Sequence, residues 1–229
     1  MGTQVQAGLE RLVDGHGLRL KGTRCGLLCH PASVASGLQH AVDVARGAGL
    51  EICCLFGPEH GLFGEAQDMV GVGSGQERRT GVPIHSLYGK SEESLRPCAE
   101  WLDDLDLVVI DVQDVGSRYY TFVWTMLLTI QACAAAGRRV LVLDRPNPLG
   151  GISVEGPSID EGFTSFVGLH PLPVRHGLTP GEIALLAVAE LDLAGRVELE
   201  VVRLEGWRRE MYFDETGLPW VLPSPNKPT

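Results

Sequence analysis

Apolar runs alternate with helical patterns over most of the chain. Residues 23–29 (TRCGLLC), 50–56 (LEICCLF), 107–112 (LVVIDV) and 139–143 (RVLVL) are near-continuous apolar stretches of strand length. Strands buried on both faces read this way. Residues 36–48, 91–105 and 119–136 place apolar side chains at helical spacing, and Gly49 and Gly137 stop the first and last of these. Ser91 is placed to cap the second, with Glu92 and Glu93 in its first turn, but Pro97 inside it marks a kink or a later start. Residues 82–87 (VPIHSL) read as a short strand. Residues 147–176 are rich in Gly, Pro and Ser and read as long loops. A helix over 178–194 follows, with Thr179 as cap, Pro180 in the first helical position and Glu182 completing a capping box. Residues 197–204 (VELEVVRL) alternate like a half-buried strand, and a Pro-rich tail ends the sequence.

Buried strands joined by helices predict an α/β fold: a Rossmann-like parallel sheet with helices on both faces. The reading divides the chain into a Rossmann-like catalytic domain over 1–177 and a helix, strand and tail over 178–229. The first strand is not followed by G-x-G-x-x-G, so the fold alone implies no dinucleotide, and no cofactor is expected.

Composition narrows the partners. A net charge of −10 on 229 residues, with no basic run, argues against nucleic acid. No apolar stretch reaches the roughly 20 residues of a membrane span. The N-terminus lacks the basic start and apolar core of a secretory signal, which favours the cytoplasm. The six cysteines lie mostly in apolar runs without C-x-x-C spacing, so they read as buried reduced thiols rather than disulfides or metal ligands.

Polar residues gather where strands end. The first strand leads to His30, the second to Glu59 and His60, the third to Asp111, Gln113, Asp114 and Arg118, and the fourth to Asp144, Arg145 and Asn147. In open parallel sheets ligands bind at this carboxyl edge. The stretch FGPEHGLFGE at 56–65 adds unusual backbone control, with glycines and a proline around Glu59 and His60. A nucleophile elbow and a Walker loop are both absent. Metal-assisted hydrolysis would draw on His30, His60, Asp111 and Asp144, though the histidines lack ligand spacing. Carboxyl acid–base chemistry suits the residues better. Glycosidic cleavage needs one carboxylic acid to protonate the leaving oxygen, and Glu59 on its held turn is the best candidate.

The chain resembles the NamZ-type exo-β-N-acetylmuramidases. The resemblance rests on HPASV at 30–34, FGPEHGLFGE at 56–65, VPIHSLYG at 82–89, DVQDVGSRYYTF at 111–122, LDRPNPLGG at 143–151, VEGP at 154–157, PVRHGLTPGE at 173–182 and PSPNKPT at 223–229. It implies release of N-acetylmuramic acid from the non-reducing end of a muropeptide or disaccharide, with Glu59 as catalytic acid. It also implies a further C-terminal domain or partner chain, because family members continue well past this point; relatives commonly carry Met where Lys227 stands. Within it, Glu155 reads either as a second carboxyl or as a loop charge. His60 either orients Glu59 or holds the turn. Arg118 and Arg175 suit the lactyl carboxylate of muramic acid, or structural ion pairs. Gln113 and Asn147 suit the sugar's amide and hydroxyls, or ordinary turns, and Tyr119 is the aromatic most able to reach the cleft. A sugar-binding module without catalysis and a metal-dependent hydrolase are the competing readings.

Overall fold

The computed structural model describes residues 5–59, 61–62, 75–89 and 91–224. Helical turns come first, α1 (Gly8–Arg11) and α2 (Gly17–Leu20), joined through Leu12–His16. Then follow β1 (Arg24–Cys29), α3 (Ala41–Gly47), β2 (Glu51–Gly57), β3 (Gly75–Gln76), β4 (Pro83–Ser86), α4 (Ala99–Leu102), β5 (Leu107–Asp111), α5 (Phe122–Ala136), β6 (Arg139–Leu143), α6 (Pro180–Glu190) and β7 (Leu199–Val202). The seven strands form one sheet in the order β3-β4-β2-β1-β5-β6-β7. All neighbours are parallel except β3 and β4. This is the doubly wound Rossmann-like fold that the alternation implies.

The strand sequences explain why both faces are covered. Leu28, Cys54, Phe56, Val108, Ile110, Val140 and Val142 pack into one core with α5 and α6. Their strand neighbours Leu27, Cys29, Leu55, Val109, Leu141 and Leu143 pack into the other, with α1 and α3. Successive side chains point to opposite faces, so a strand covered twice needs apolar residues at every position.

Element boundaries differ from the sequence reading where local hydrogen bonds override periodicity. The helix read over 36–48 begins only at Ala41, because the His40 ring accepts the Val42 N–H and caps it there. The helix read over 91–105 breaks at Pro97 into a 3-10 turn (Glu92–Leu95) and α4. The helix read from residue 119 starts at Phe122. The boundary placed at residue 177 does not separate two packed bodies: α6 lies against α5 and β6, and β7 pairs with β6 as the last strand of the same sheet. Among the described residues no helix is long and apolar enough to cross a membrane.

Chain order reverses between β1 and β5, the switch point where a crevice opens beyond the carboxyl ends of a doubly wound sheet. The loops after β1, β2, β5 and β6 meet at that edge.

Candidate active site

Glu59 sits two residues beyond β2 and is buried to 8% exposure. Its turn is built by glycine. Gly61 donates its N–H to Pro58 O at 2.9 Å and has φ of +77°, a left-handed conformation that side chains disfavour. Gly57 lies so close to the returning chain that a Cβ there would sit 2.8 Å from the Leu62 nitrogen. On the other side, the Thr121 hydroxyl donates to Glu59 Oε2 at 2.7 Å. Among the described residues Oε1 takes no hydrogen bond. His60 lies outside the described residues, as does Lys227 in the tail.

The loop after β5 supplies the next layer. Asp114 is 1% exposed. Its Oδ2 accepts the Gly116 N–H at 2.7 Å and faces His176 Nε2 at 3.2 Å. His176 Nδ1 accepts the Leu178 N–H, which leaves the ring proton on Nε2; that nitrogen lies close to Asp114 but makes no aligned hydrogen bond among the described residues. Asp114 Oδ1 is buried without a hydrogen-bond partner among the described residues. Tyr120 stands near both carboxylates. Burial pushes its phenol well up, the neighbouring Ser224 side chain opposes this, and the charges of Asp114 and Glu59 add to it.

Several residues read as ligand-binding hold the edge together instead. Asp111 and Arg145 form a sealed bidentate pair, with Arg145 Nη2 2.8 Å from Asp111 Oδ2 and a second bond from Nε. His30 is fully buried, and its Nε2 accepts the Gln113 N–H at 2.8 Å. Burial first, then the charges of Arg145 and His40, hold the His30 ring well below its usual pKa, so it is a neutral acceptor tying the end of β1 to the end of β5. The Gln113 amide donates to Asp114 O and Pro146 O. Asn147 donates to Leu178 O and accepts the Leu149 N–H. Asp144 accepts from Thr179, Gly181 and Arg145 at the start of α6. Among the described residues of the metal set drawn from the sequence, His30, Asp111 and Asp144 do not converge on one point and are each committed to protein partners.

The two arginines considered for a carboxylate are also engaged. Arg118 Nη1 donates to Pro157 O and Leu172 O at 2.7 and 2.6 Å. Arg175 Nη1 pairs with Glu155 Oε2 at 2.9 Å, while Nη2 reaches Leu149 O and Tyr212. Glu155 lies on the exposed loop, bonded to Arg175. Tyr119 is 55% exposed, with the Arg118 guanidinium 5.7 Å from its ring centre.

Thr121 and His176 were not singled out from the sequence. Thr121 fell inside a helix read three residues too long, and its partner is 62 positions away. His176 lies in the quoted stretch PVRHGLTPGE, but nothing local marks it as the neighbour of Asp114.

One buried carboxylic acid on a glycine-built turn, with one oxygen held by a hydroxyl and the other unclaimed by any described residue, is an arrangement suited to donating a proton. The family profile that matches residues 25–229 is described as exo-β-N-acetylmuramidase NamZ, N-terminal. A curated relative, the peptidoglycan β-N-acetylmuramidase NamZ of Bacillus subtilis (strain 168), is 44% identical over 99% of this chain and 54% of its own length. Two crystal structures of DUF1343 family proteins from Bacteroides fragilis NCTC 9343 superimpose with TM-scores of 0.88 and 0.74, at 37% and 31% identity. They cover 97% and 92% of this chain, and 56% and 55% of their own lengths are matched. The chain thus spans about half the length of these relatives.

Proposed function

The chain belongs to the NamZ family of exo-β-N-acetylmuramidases, and from that premise we propose that it is an exo-acting glycoside hydrolase with Glu59 as its general acid. The substrate is a peptidoglycan fragment, a muropeptide or disaccharide, with N-acetylmuramic acid at its non-reducing end. The observation that carries the assignment of Glu59 is its placement: a buried carboxyl beyond β2 at the ligand-binding edge, held on Oε2 by Thr121. In the reaction Glu59 gives its proton to the glycosidic oxygen as the bond to the anomeric carbon breaks. Water supplies the hydroxyl that ends on that carbon, and its proton returns to Glu59. Cytoplasmic residence is part of the same proposal. Its support is the set of buried free thiols Cys25, Cys29, Cys54 and Cys133.

The deciding experiment is release of N-acetylmuramic acid by the purified chain from a disaccharide that carries it at the non-reducing end, with Glu59→Gln alongside and a 4-nitrophenyl β-N-acetylmuramide as the substrate that needs less protonation. Disaccharide turnover that falls by about a hundredfold or more in Glu59→Gln, with sugar binding retained, is the expected result. Disaccharide turnover unaffected by Glu59→Gln removes Glu59 as the acid. The alternative is a sugar-binding module without catalysis. Binding of N-acetylmuramic acid without any turnover would select it.

A further inference from the structure

Thr121 occupies the N-cap position of α5, where a threonine ordinarily turns its hydroxyl oxygen onto the free N–H groups of the first helical turn. Here it does not. No N–H of α5 bonds to the Thr121 side chain. The helix is served instead by the Thr121 carbonyl, which accepts from Trp124 N and Thr125 N at 3.1 and 2.9 Å. The hydroxyl turns away from its own helix and donates to Glu59 Oε2 at 2.7 Å. Thr121 is itself 8% exposed, so this bond is made out of bulk water, where a misdirected hydroxyl would cost most. The Thr121 backbone is already helical (φ −80°, ψ −16°), which takes its hydroxyl off the first-turn N–H groups and leaves it to the carboxylate.

We propose that Thr121 is a positioning residue that fixes which oxygen of Glu59 carries the catalytic proton. This deepens, and rests on, the reading of Glu59 as the acid. A hydroxyl donating to Oε2 makes that oxygen an acceptor, so the acid's proton resides on Oε1, the oxygen that no described residue engages. When Oε1–H passes its proton to the leaving oxygen, the electron pair of the broken glycosidic bond stays with that oxygen. The negative charge left on Glu59 is then met at Oε2 by the Thr121 hydroxyl and by the positive end of α5, which begins at the next residue. The same bond holds the carboxyl in one rotamer, so the proton points in one direction.

The test is Thr121→Val, which keeps the side-chain shape and removes the donor, with Thr121→Ser as the conservative variant. Near-ultraviolet circular dichroism checks the fold, and Thr121→Ala replaces valine if valine does not fold. On a muramic-acid disaccharide, whose sugar leaving group needs protonation, kcat falls about tenfold or more while KM stays within about twofold. On the 4-nitrophenyl substrate, whose leaving group needs less help, the loss is smaller, and Thr121→Ser restores both. Equal losses on the two substrates, or a loss confined to KM, overturn the proposal. A second readout needs no turnover: crystal structures of the wild type and the variants, in which the Glu59 carboxyl holds one orientation with Oε2 on the hydroxyl in the wild type and in Thr121→Ser, and leaves it in Thr121→Val. A carboxyl unmoved in Thr121→Val overturns the proposal whether or not the chain is active. Absence of turnover in the wild type with a moved carboxyl removes the enzymatic reading and leaves the positioning of Glu59 by Thr121 standing.

Discussion

Arg145 grips Asp111 through two nitrogens, with the side chains 5% and 0% exposed. The pair joins the loop after β6 to the last residue of β5, and Arg145 Nη2 also donates to Val34 O in the loop after β1. Three of the segments that form the candidate site are therefore locked by one guanidinium. Breaking a buried pair strands the remaining charge, at a cost of about 3–5 kcal/mol. Arg145→Met and Asp111→Asn should each lower the urea midpoint by that order. The double variant Asp111→Leu/Arg145→Met should recover much of the loss, because neither charge is then buried alone. A double variant as unstable as the sum of the two singles would show that the pair does not act as a unit.

Thr179 serves two partners at once. Its hydroxyl accepts the Glu182 N–H at 3.2 Å and donates to Asp144 Oδ2 at 2.9 Å. Thr179→Ala removes a helix cap, worth about 1 kcal/mol, and deprives a buried carboxylate oxygen of its donor, worth about 1–3 kcal/mol. A total loss of about 2–4 kcal/mol is expected in urea unfolding, with Thr179→Ser close to the wild type. A loss within the range of an ordinary cap would mean that the bond to Asp144 contributes little.

The sheet was legible because β1, β2, β5 and β6 are apolar at nearly every position, and only double coverage demands that. The cap of α6 was legible for a similar reason, since Thr179, Pro180 and Glu182 act on one another within four residues. What escaped the sequence depends on distant partners. Tyr119 and Tyr120 extend the apolar pattern of α5, but Arg118 N–H bonds to Val174 O and Trp124 Nε1 to Arg118 O, which holds that stretch as a loop. Arg118 and Arg175 have the chemistry to bind a carboxylate, yet carbonyls and a glutamate 20 to 54 positions away engage them. Glu59 stood out because glycine and proline punctuate its turn. Thr121, which positions it, carries no such local mark.

The turn itself can be tested through its glycines. A Cβ at Gly57 would lie 2.8 Å from the Leu62 backbone nitrogen, so Gly57→Ala must move the chain that carries Glu59. Displacement of about 1 Å is enough to cost about a hundredfold in rate, and that is the loss expected in kcat. Gly61→Ala forces a side chain into φ of +77°, at about 1–2 kcal/mol of strain. Gly47→Ala is the control: it lies in α3, meets nothing within 4 Å, and should stabilise by about 0.5–1 kcal/mol. Unchanged turnover in Gly57→Ala would show that the turn does not set the position of the acid.

The thiols give a chemical check on the core. Burial pushes Cys25, Cys54 and Cys133 up to about 12, and Cys29 well above its usual value. Cys53 and Cys98 are only partly buried. Iodoacetamide at pH 8 should label these two in the native protein and all six after unfolding, as read by peptide mass spectrometry. Native labelling of Cys133 at the rate of Cys98 would contradict the packing of α5.

Asp144 makes stability depend on pH in an unusual direction for an acid. Three donors favour its ionised form, yet burial outweighs them and raises the carboxyl to about 6 from 3.8. A folded pKa above the unfolded one means the unfolded chain gives up this proton first. The group therefore favours the folded state below about pH 4, and that contribution falls as pH rises and is spent above about pH 6. The size is about 3 kcal/mol, from a displacement of about two units. Asp144→Asn has no charge to desolvate, so its penalty, an amide facing one of the three donors, stays constant with pH. The stability of the wild type relative to Asp144→Asn should consequently fall by about 3 kcal/mol between pH 4 and pH 7, measured by urea unfolding at each pH. A relative stability that stays level or rises over that window would show that the three donors, rather than burial, set the proton affinity of Asp144.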